Sequence, residues 1–220
     1  PTGMTPTKSM TEFVPVSPAE IIEQVHAASE IGITIVHLHA RESDGRPSSR
    51  VEVYDEIIGG IRKHCPELVI CASLSGRDCP ELEKRSQVLE FKPDMGSLTL
   101  SSLNFARQAS ANAPDTIAGL IEAMDRHGVH PELECFDSGM INYSKYLIRK
   151  NMLKPPFYYN LLLGNIANTQ ADIGHLGLML RDLPDESSWS LAGLGDHQLA
   201  MNTIAVALGG GVRVGLEDNL

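Results

Sequence analysis

The chain has 220 residues, 42% of them hydrophobic, and sets 18 Lys and Arg against 28 Asp and Glu for a formal charge of -10. That size suits one large α/β domain or two small ones, and the acidic balance argues against nucleic acid as a partner, because phosphate binding needs a cationic footprint. No apolar run is long enough to span a bilayer, and Pro1-Thr2-Gly3-Met4-Thr5-Pro6 lacks the basic flank and apolar centre of a signal peptide, so a cytoplasmic enzyme with no membrane partner is expected.

From Pro18 onward, helix-period segments alternate with short apolar runs that end in small or polar residues. Helices are expected over 18–30, 51–63, 80–90, 115–127, 139–150, 170–181 and 197–208, and strands over 33–40, 68–74, 95–100, 132–136, 158–163, 188–194 and 212–216. Ser17 before Pro18 supplies an N-cap with proline at the first helical position, and Pro114-Asp115 opens another helix. Pro66, Pro131 and Pro155-Pro156 end helices ahead of the following strands.

Such alternation builds a parallel sheet. Neither Gly-x-Gly-x-x-Gly after the first strand nor Gly-x-x-x-x-Gly-Lys is present, so the nucleotide-binding features of open sheets are missing. Polar residues instead close nearly every strand, as expected where loops converge over a barrel mouth. The expected fold is a single α/β domain over 1–220, a TIM (β/α)8 barrel lacking its first strand and last helix. The missing strand is expected upstream of Pro1, and the helix beyond Leu220.

His37-Leu38-His39 closes the first run. Strand alternation turns both imidazoles to one side, where they can share a cation. A hydrogen-bonded core histidine beside a rim histidine is the competing reading. At the other end, alternation places Arg213, Gly215 and Glu217 on one face, with Asp218 at the bend free to act as a base; a structural Arg213–Glu217 ion pair accounts for the same pattern. Between them, Ser73 and the turn Ser75-Gly76-Arg77 end the second strand, Ser97, Thr99 and Ser101 form a hydroxyl stripe, and Glu134 shares a face with Phe136. Taken singly, each hydroxyl reads as a satisfied core group.

The remaining histidines, His26, His64, His127, His130, His175 and His197, fall on helices or their ends. Trp189 reads as a packing anchor, and Gly209-Gly210-Gly211 as a tight turn into the last strand. Cys65, Cys71, Cys79 and Cys135 are too irregularly spaced for a thiolate metal site and read as reduced thiols, with Cys79 the one exposed enough to react.

Pro15-Val16-Ser17-Pro18, His37-Leu38-His39-Ala40-Arg41, Gly45-Arg46-Pro47-Ser48, Lys92-Pro93-Asp94-Met95 and Val212-Arg213-Val214-Gly215-Leu216-Glu217-Asp218-Asn219 together resemble the β-keto acid cleavage enzymes, along essentially the whole chain. The resemblance implies a TIM-type barrel holding a divalent cation, usually zinc, on His37, His39 and Glu217. It implies that a β-keto acid reacts with acetyl-CoA to give acetoacetate and a new acyl-CoA. By motif position Asp218 is the general base, Arg213 and Ser73 support it, Glu134 is an acid group behind the ligands, and Gly76 and Ser97 contact substrate. Thr99, on the same stripe, joins the expected substrate-binding set. A homo-oligomer, dimer or tetramer, is implied as well.

The chain departs from that pattern at Asp196, where the family commonly has Arg near the expected CoA entrance. It departs again at Thr5, where members accepting aminated substrates would want a carboxylate, so a neutral acyl tail is expected. The alternatives are a metal-dependent aldolase or hydrolase on the same barrel and a non-catalytic metal-binding barrel.

Overall fold

Seven parallel strands in strict sequence order form the sheet of the computed structural model, which describes residues 1–220. They are β1 (Ile35–Leu38), β2 (Val69–Ala72), β3 (Met95–Thr99), β4 (His130–Cys135), β5 (Phe157–Leu163), β6 (Ser187–Gly193) and β7 (Gly211–Val212). Helices α1 (Pro18–Glu30), α2 (Val51–His64), α3 (Leu82–Ser86), α4 (Pro114–His127), α5 (Ser138–Arg149), α6 (Ile173–Asp182) and α7 (Gln198–Ala207) separate them. A doubly wound sheet would reverse its strand order at a switch point. Here the order never reverses, so the sheet curls as the wall of a (β/α) barrel with β1 and β7 at its edges.

Local chemistry sets the helix ends. Ser17 caps α1 in a full capping box: its hydroxyl accepts from Glu20 N, while the Glu20 carboxylate accepts from Ser17 N at 2.9 Å and Val16 N at 2.8 Å. Asp137 caps α5 and Asp172 caps α6 by accepting from Met140 N and His175 N. Asp172 thereby delays α6 to residue 173, three residues later than the sequence pattern suggests. One apolar core joins the outward strand residues, among them Leu38, Ile70, Leu98, Leu133, Leu161 and Leu191, to helix residues such as Ile21, Ile57, Ile61, Leu120 and Met140. Residues of the opposite parity face the barrel interior.

Three local expectations need correction. The helix expected over 80–90 is short: α3 ends at Ser86 and the chain tightens into a 3-10 turn, Gln87–Phe91, closed by Lys92 at φ 49°. His130 begins β4 and is not a helix-end residue, because Gly128 at φ 70° has already ended α4. The strand expected over 212–216 stops at Val212. Gly215 O accepts from Asp218 N at 3.0 Å and from Asn219 N at 3.1 Å, and this turn replaces the pleat.

Trp189 is an anchor as expected. Its ring lies against Gly210 so closely that a side chain at 210 would collide with it. All four cysteines are free thiols.

Candidate active site

At the C-terminal ends of the strands lies an open cavity of about 480 Å³. His37 reaches it from the end of β1. His39 lies one residue past β1, where Ala40–Arg41 pairs with Pro47–Ser48 in a small antiparallel ribbon. The two rings are 5.1 Å apart between centroids. Glu217 and Asp218 come from the turn after β7, so the turn brings both carboxylates to the cavity where strict alternation would have allowed one.

Arg213 organises this corner. Its Nε donates to Asp218 Oδ2 at 3.0 Å and its Nη2 to Oδ1 at 3.3 Å, a forked grip that fixes the carboxylate plane. Its Nη1 lies 3.5 Å from Glu134 Oε1 and its Nη2 3.7 Å from Glu217 Oε2. Burial opposes the guanidinium charge, but Asp218, Glu132 and Glu134 outweigh it and hold Arg213 protonated. Glu134 also accepts from Thr99 Oγ1 at 2.7 Å. Burial and the neighbouring Glu132 carboxylate push its carboxyl above the usual range.

His37 Nδ1 sits 2.7 Å from Glu132 Oε2, which leaves Nε2 as the nitrogen available to the cavity. His39 Nε2 is buried and lies 3.1 Å from Glu217 Oε2 without hydrogen-bond geometry to it or to any other group. Burial lowers the affinity of His39 for a proton more than Glu217 raises it. For Glu217, burial is outweighed by His39, Arg213 and Arg77, and the carboxyl lies well below its ordinary value. Two imidazoles and an ionised carboxylate, one ligand atom orphaned in a buried site, are a donor set suited to a divalent cation of zinc's character.

The one trio of His, Cys, Asp or Glu side chains whose ligand atoms all lie within 4.8 Å of one another is a different set, His37, Cys71 and Glu132, placed deeper than the cavity wall. Burial and the Glu132 carboxylate push the Cys71 thiol well up, and its Sγ donates to Glu132 Oε2 at 3.1 Å. Cys79 is not an activated thiol either, since burial and Glu81 push it up as well.

Of the other expected residues, Ser73 and Thr99 line the cavity. Ser97 is buried, with its Oγ accepting from Leu74 N at 3.0 Å, and Gly76 lies against Ala111 O and the Arg85 guanidinium; neither lines the cavity. Asp196 is exposed on the turn before α7 and is not a cavity residue. Thr5 does line the cavity, carried there by the N-terminal segment. Buried Arg41 holds that segment by donating to Thr2 O, Gly3 O and Pro6 O, and Met4 N donates to Glu217 Oε1 at 3.2 Å.

Sequence reasoning missed Glu132, although it shares a face with Glu134 and alternation alone could have found it. It named Arg77 only as part of the turn Ser75-Gly76-Arg77 and did not foresee that its guanidinium lies 3.8 Å over the Phe105 ring. No short-range pattern announces that contact, because Phe105 lies in the loop of a separate ribbon formed by Leu103–Asn104 and Ala109–Ser110.

Residues 1–220 match the family described as beta-keto acid cleavage enzyme. The chain is 34% identical over 219 residues to a 3-keto-5-aminohexanoate cleavage enzyme of Fusobacterium nucleatum, covering 99% of this chain and 80% of that one. It is 34% identical over 222 residues to a 3-oxoadipate:acetyl-CoA acetyltransferase of Cupriavidus necator, covering 100% and 78%. Among solved structures it is similar to apo ObcA, with a TM-score of 0.84 at 22% identity; the match covers 94% of this chain and 56% of that chain. The chain thus spans little more than half the length of that structure, and the likeness speaks to the fold.

Proposed function

The chain belongs to the β-keto acid cleavage enzyme family, and from that premise we propose that it transfers the acyl group of a β-keto acid to CoA, with acetyl-CoA as co-substrate and acetoacetate as the second product. The observation that carries this reading is the convergence of His37, His39, Glu217 and the Arg213-held Asp218 on one cavity. His37, His39 and Glu217 would hold a divalent cation, with zinc preferred for two imidazoles and a carboxylate. When bound, that ion supplies Lewis-acid stabilisation for negative charge developing on the substrate's carbonyl oxygens.

The chain's own residues account for the proton movements. Asp218 takes a proton from the methylene carbon between the two carbonyls of the β-keto acid. That carbon bonds to the acetyl carbonyl carbon, and CoA thiolate leaves. The thiolate then adds to the original keto carbon, whose bond to the methylene carbon breaks, giving the new acyl-CoA. Asp218 returns the proton to the released carbon, which is now C2 of acetoacetate. Arg213 keeps the Asp218 oxygens aimed throughout. Ser73 offers its hydroxyl to the substrate's oxygens, Thr99 lines the same wall with its proton given to Glu134, and Gly76 and Ser97 support that wall from behind.

The acyl tail would lie toward Thr5, Arg77, Phe105 and Arg107, all cavity residues. Arg107 has no carboxylate within ion-pair distance, and Arg77 only Glu217, at 3.6 Å. Asp78 is the one carboxylate on that stretch of wall, and it accepts from Gln108 Nε2 at 3.4 Å, so two guanidiniums against one carboxylate favour neutral and oxygen-bearing tails over an ammonium. Competition among 3-oxo acids with neutral, carboxylate and amino tails tests this: kcat/KM for the amino acid should be the lowest, and a preference for it would overturn the assignment. A homo-oligomer and a cytoplasmic location remain part of the proposal. Light scattering tests the first and cell fractionation the second. No helix is long and apolar enough to cross a membrane.

A further inference from the structure

Glu132 is a carboxylate only 3% exposed, placed behind the cavity wall and not on it. Burying such a charge costs several kcal/mol unless it is paired and hydrogen-bonded, so its partners define its purpose. Oε2 lies 2.7 Å from His37 Nδ1 and accepts from Cys71 Sγ at 3.1 Å; Oε1 accepts from Asn160 Nδ2 at 2.9 Å. Asn160 Oδ1 in turn accepts from Ser190 Oγ at 3.2 Å, and Ser190 Oγ from the Tyr158 hydroxyl at 2.9 Å. Five strands, β1, β2, β4, β5 and β6, each contribute to this chain of bonds across the barrel interior. Its one outlet to the cavity is the His37 ring.

We propose that Glu132 is the positioning residue of the metal centre: clamped by Cys71 and Asn160, it holds the His37 proton on Nδ1 and presents Nε2 to the cavity, so that neither Cys71 nor Glu132 is itself a ligand. This rests on the function proposed above. A ring whose Nδ1–H is fixed by a carboxylate is oriented before the ion arrives and is a more basic ligand. A cation among His37, Cys71 and Glu132 would instead sit behind the ring, out of reach of any substrate in the cavity, since Cys71 is fully buried and lines no part of it.

Zinc affinity, read by competition with a chromophoric chelator, separates the two arrangements. Glu132→Gln should bind zinc about 10–100-fold more weakly with its circular dichroism unchanged. Cys71→Ala should bind it as wild type does, and the cobalt-substituted protein should show no thiolate-to-cobalt absorption in the near ultraviolet. Long-range ¹H–¹⁵N spectra of the wild-type protein keep the test open if Glu132→Gln does not fold: they should show His37 protonated at Nδ1.

Full zinc affinity in a folded Glu132→Gln, a His37 proton on Nε2, or a thiolate band lost in Cys71→Ala would each overturn the inference while leaving the cleavage reaction standing. A protein that takes up no divalent cation would overturn both.

Discussion

Asp218 is 7% exposed and is held by two bonds from Arg213, so its position depends on one neighbour and its chemistry on its charge. Asp218→Asn keeps the shape and removes the base. Turnover should fall by about 10²–10⁴, the usual range for a lost general base, while zinc content stays at the wild-type level. Metal analysis alongside steady-state kinetics checks this, and wild-type turnover would remove Asp218 from the mechanism. Most of this site could be read from the sequence at the level of residues, but partly for the wrong reason. Alternation correctly grouped Arg213 with Glu217, yet the pleat ends at Val212 and a turn completes the group. The Arg77–Phe105 stack and the Arg41 clamp were not legible, because each joins segments that are distant in sequence and is decided by tertiary geometry.

At the level of elements, the capping box of α1 shows how a four-residue signal becomes stability. Lys8, Val16 N and Ser17 N hold the Glu20 carboxyl down at about 2 against an ordinary 4.5. A carboxyl depressed on folding stabilises the protein above its unfolded value and loses that contribution as pH falls from 4.5 toward 2. The Glu20 side chain is 42% exposed, so solvent screens its charge and the contribution is that of a cap, about 1 kcal/mol. Glu20→Gln should therefore lower Tm by about 2–4 °C at pH 7, and the gap to wild type should close as pH approaches 2. A gap that is constant with pH would contradict a charge-based cap. Helix starts marked by the Ser17 cap and by proline at the first position, Pro18 and Pro114, were legible because these signals are local. The breakdown of the third helix into a 3-10 turn was not, since its apolar spacing suits either geometry.

At the level of the whole molecule, a parallel sheet whose strands never reverse order gathers the ends of its strands around one mouth, and the proposed cation would link distant parts of that wall. His37 and His39 come from the β1 edge and Glu217 from beyond β7. A ligand that binds only the folded state adds about 2.7 kcal/mol at a hundred times its dissociation constant, so removing the metal should lower Tm by about 5–10 °C. Thermal denaturation with and without a chelator reads this directly; an unchanged Tm would mean that the two ends of the sheet are not bridged. The barrel class followed from the regular strand–helix alternation and the missing nucleotide-binding glycines. Which end of the sheet carries the candidate site could be read only once the polar strand ends were considered together.

The most direct measurement is product analysis by mass spectrometry after the protein is incubated with acetyl-CoA and a set of β-keto acids, with and without chelator. Acetoacetate and a new acyl-CoA are expected in equal amounts, both lost on chelation and restored by zinc. A metal-loaded protein that consumes a β-keto acid without exchanging CoA, or that exchanges it equally well after chelation, would contradict the proposed reaction.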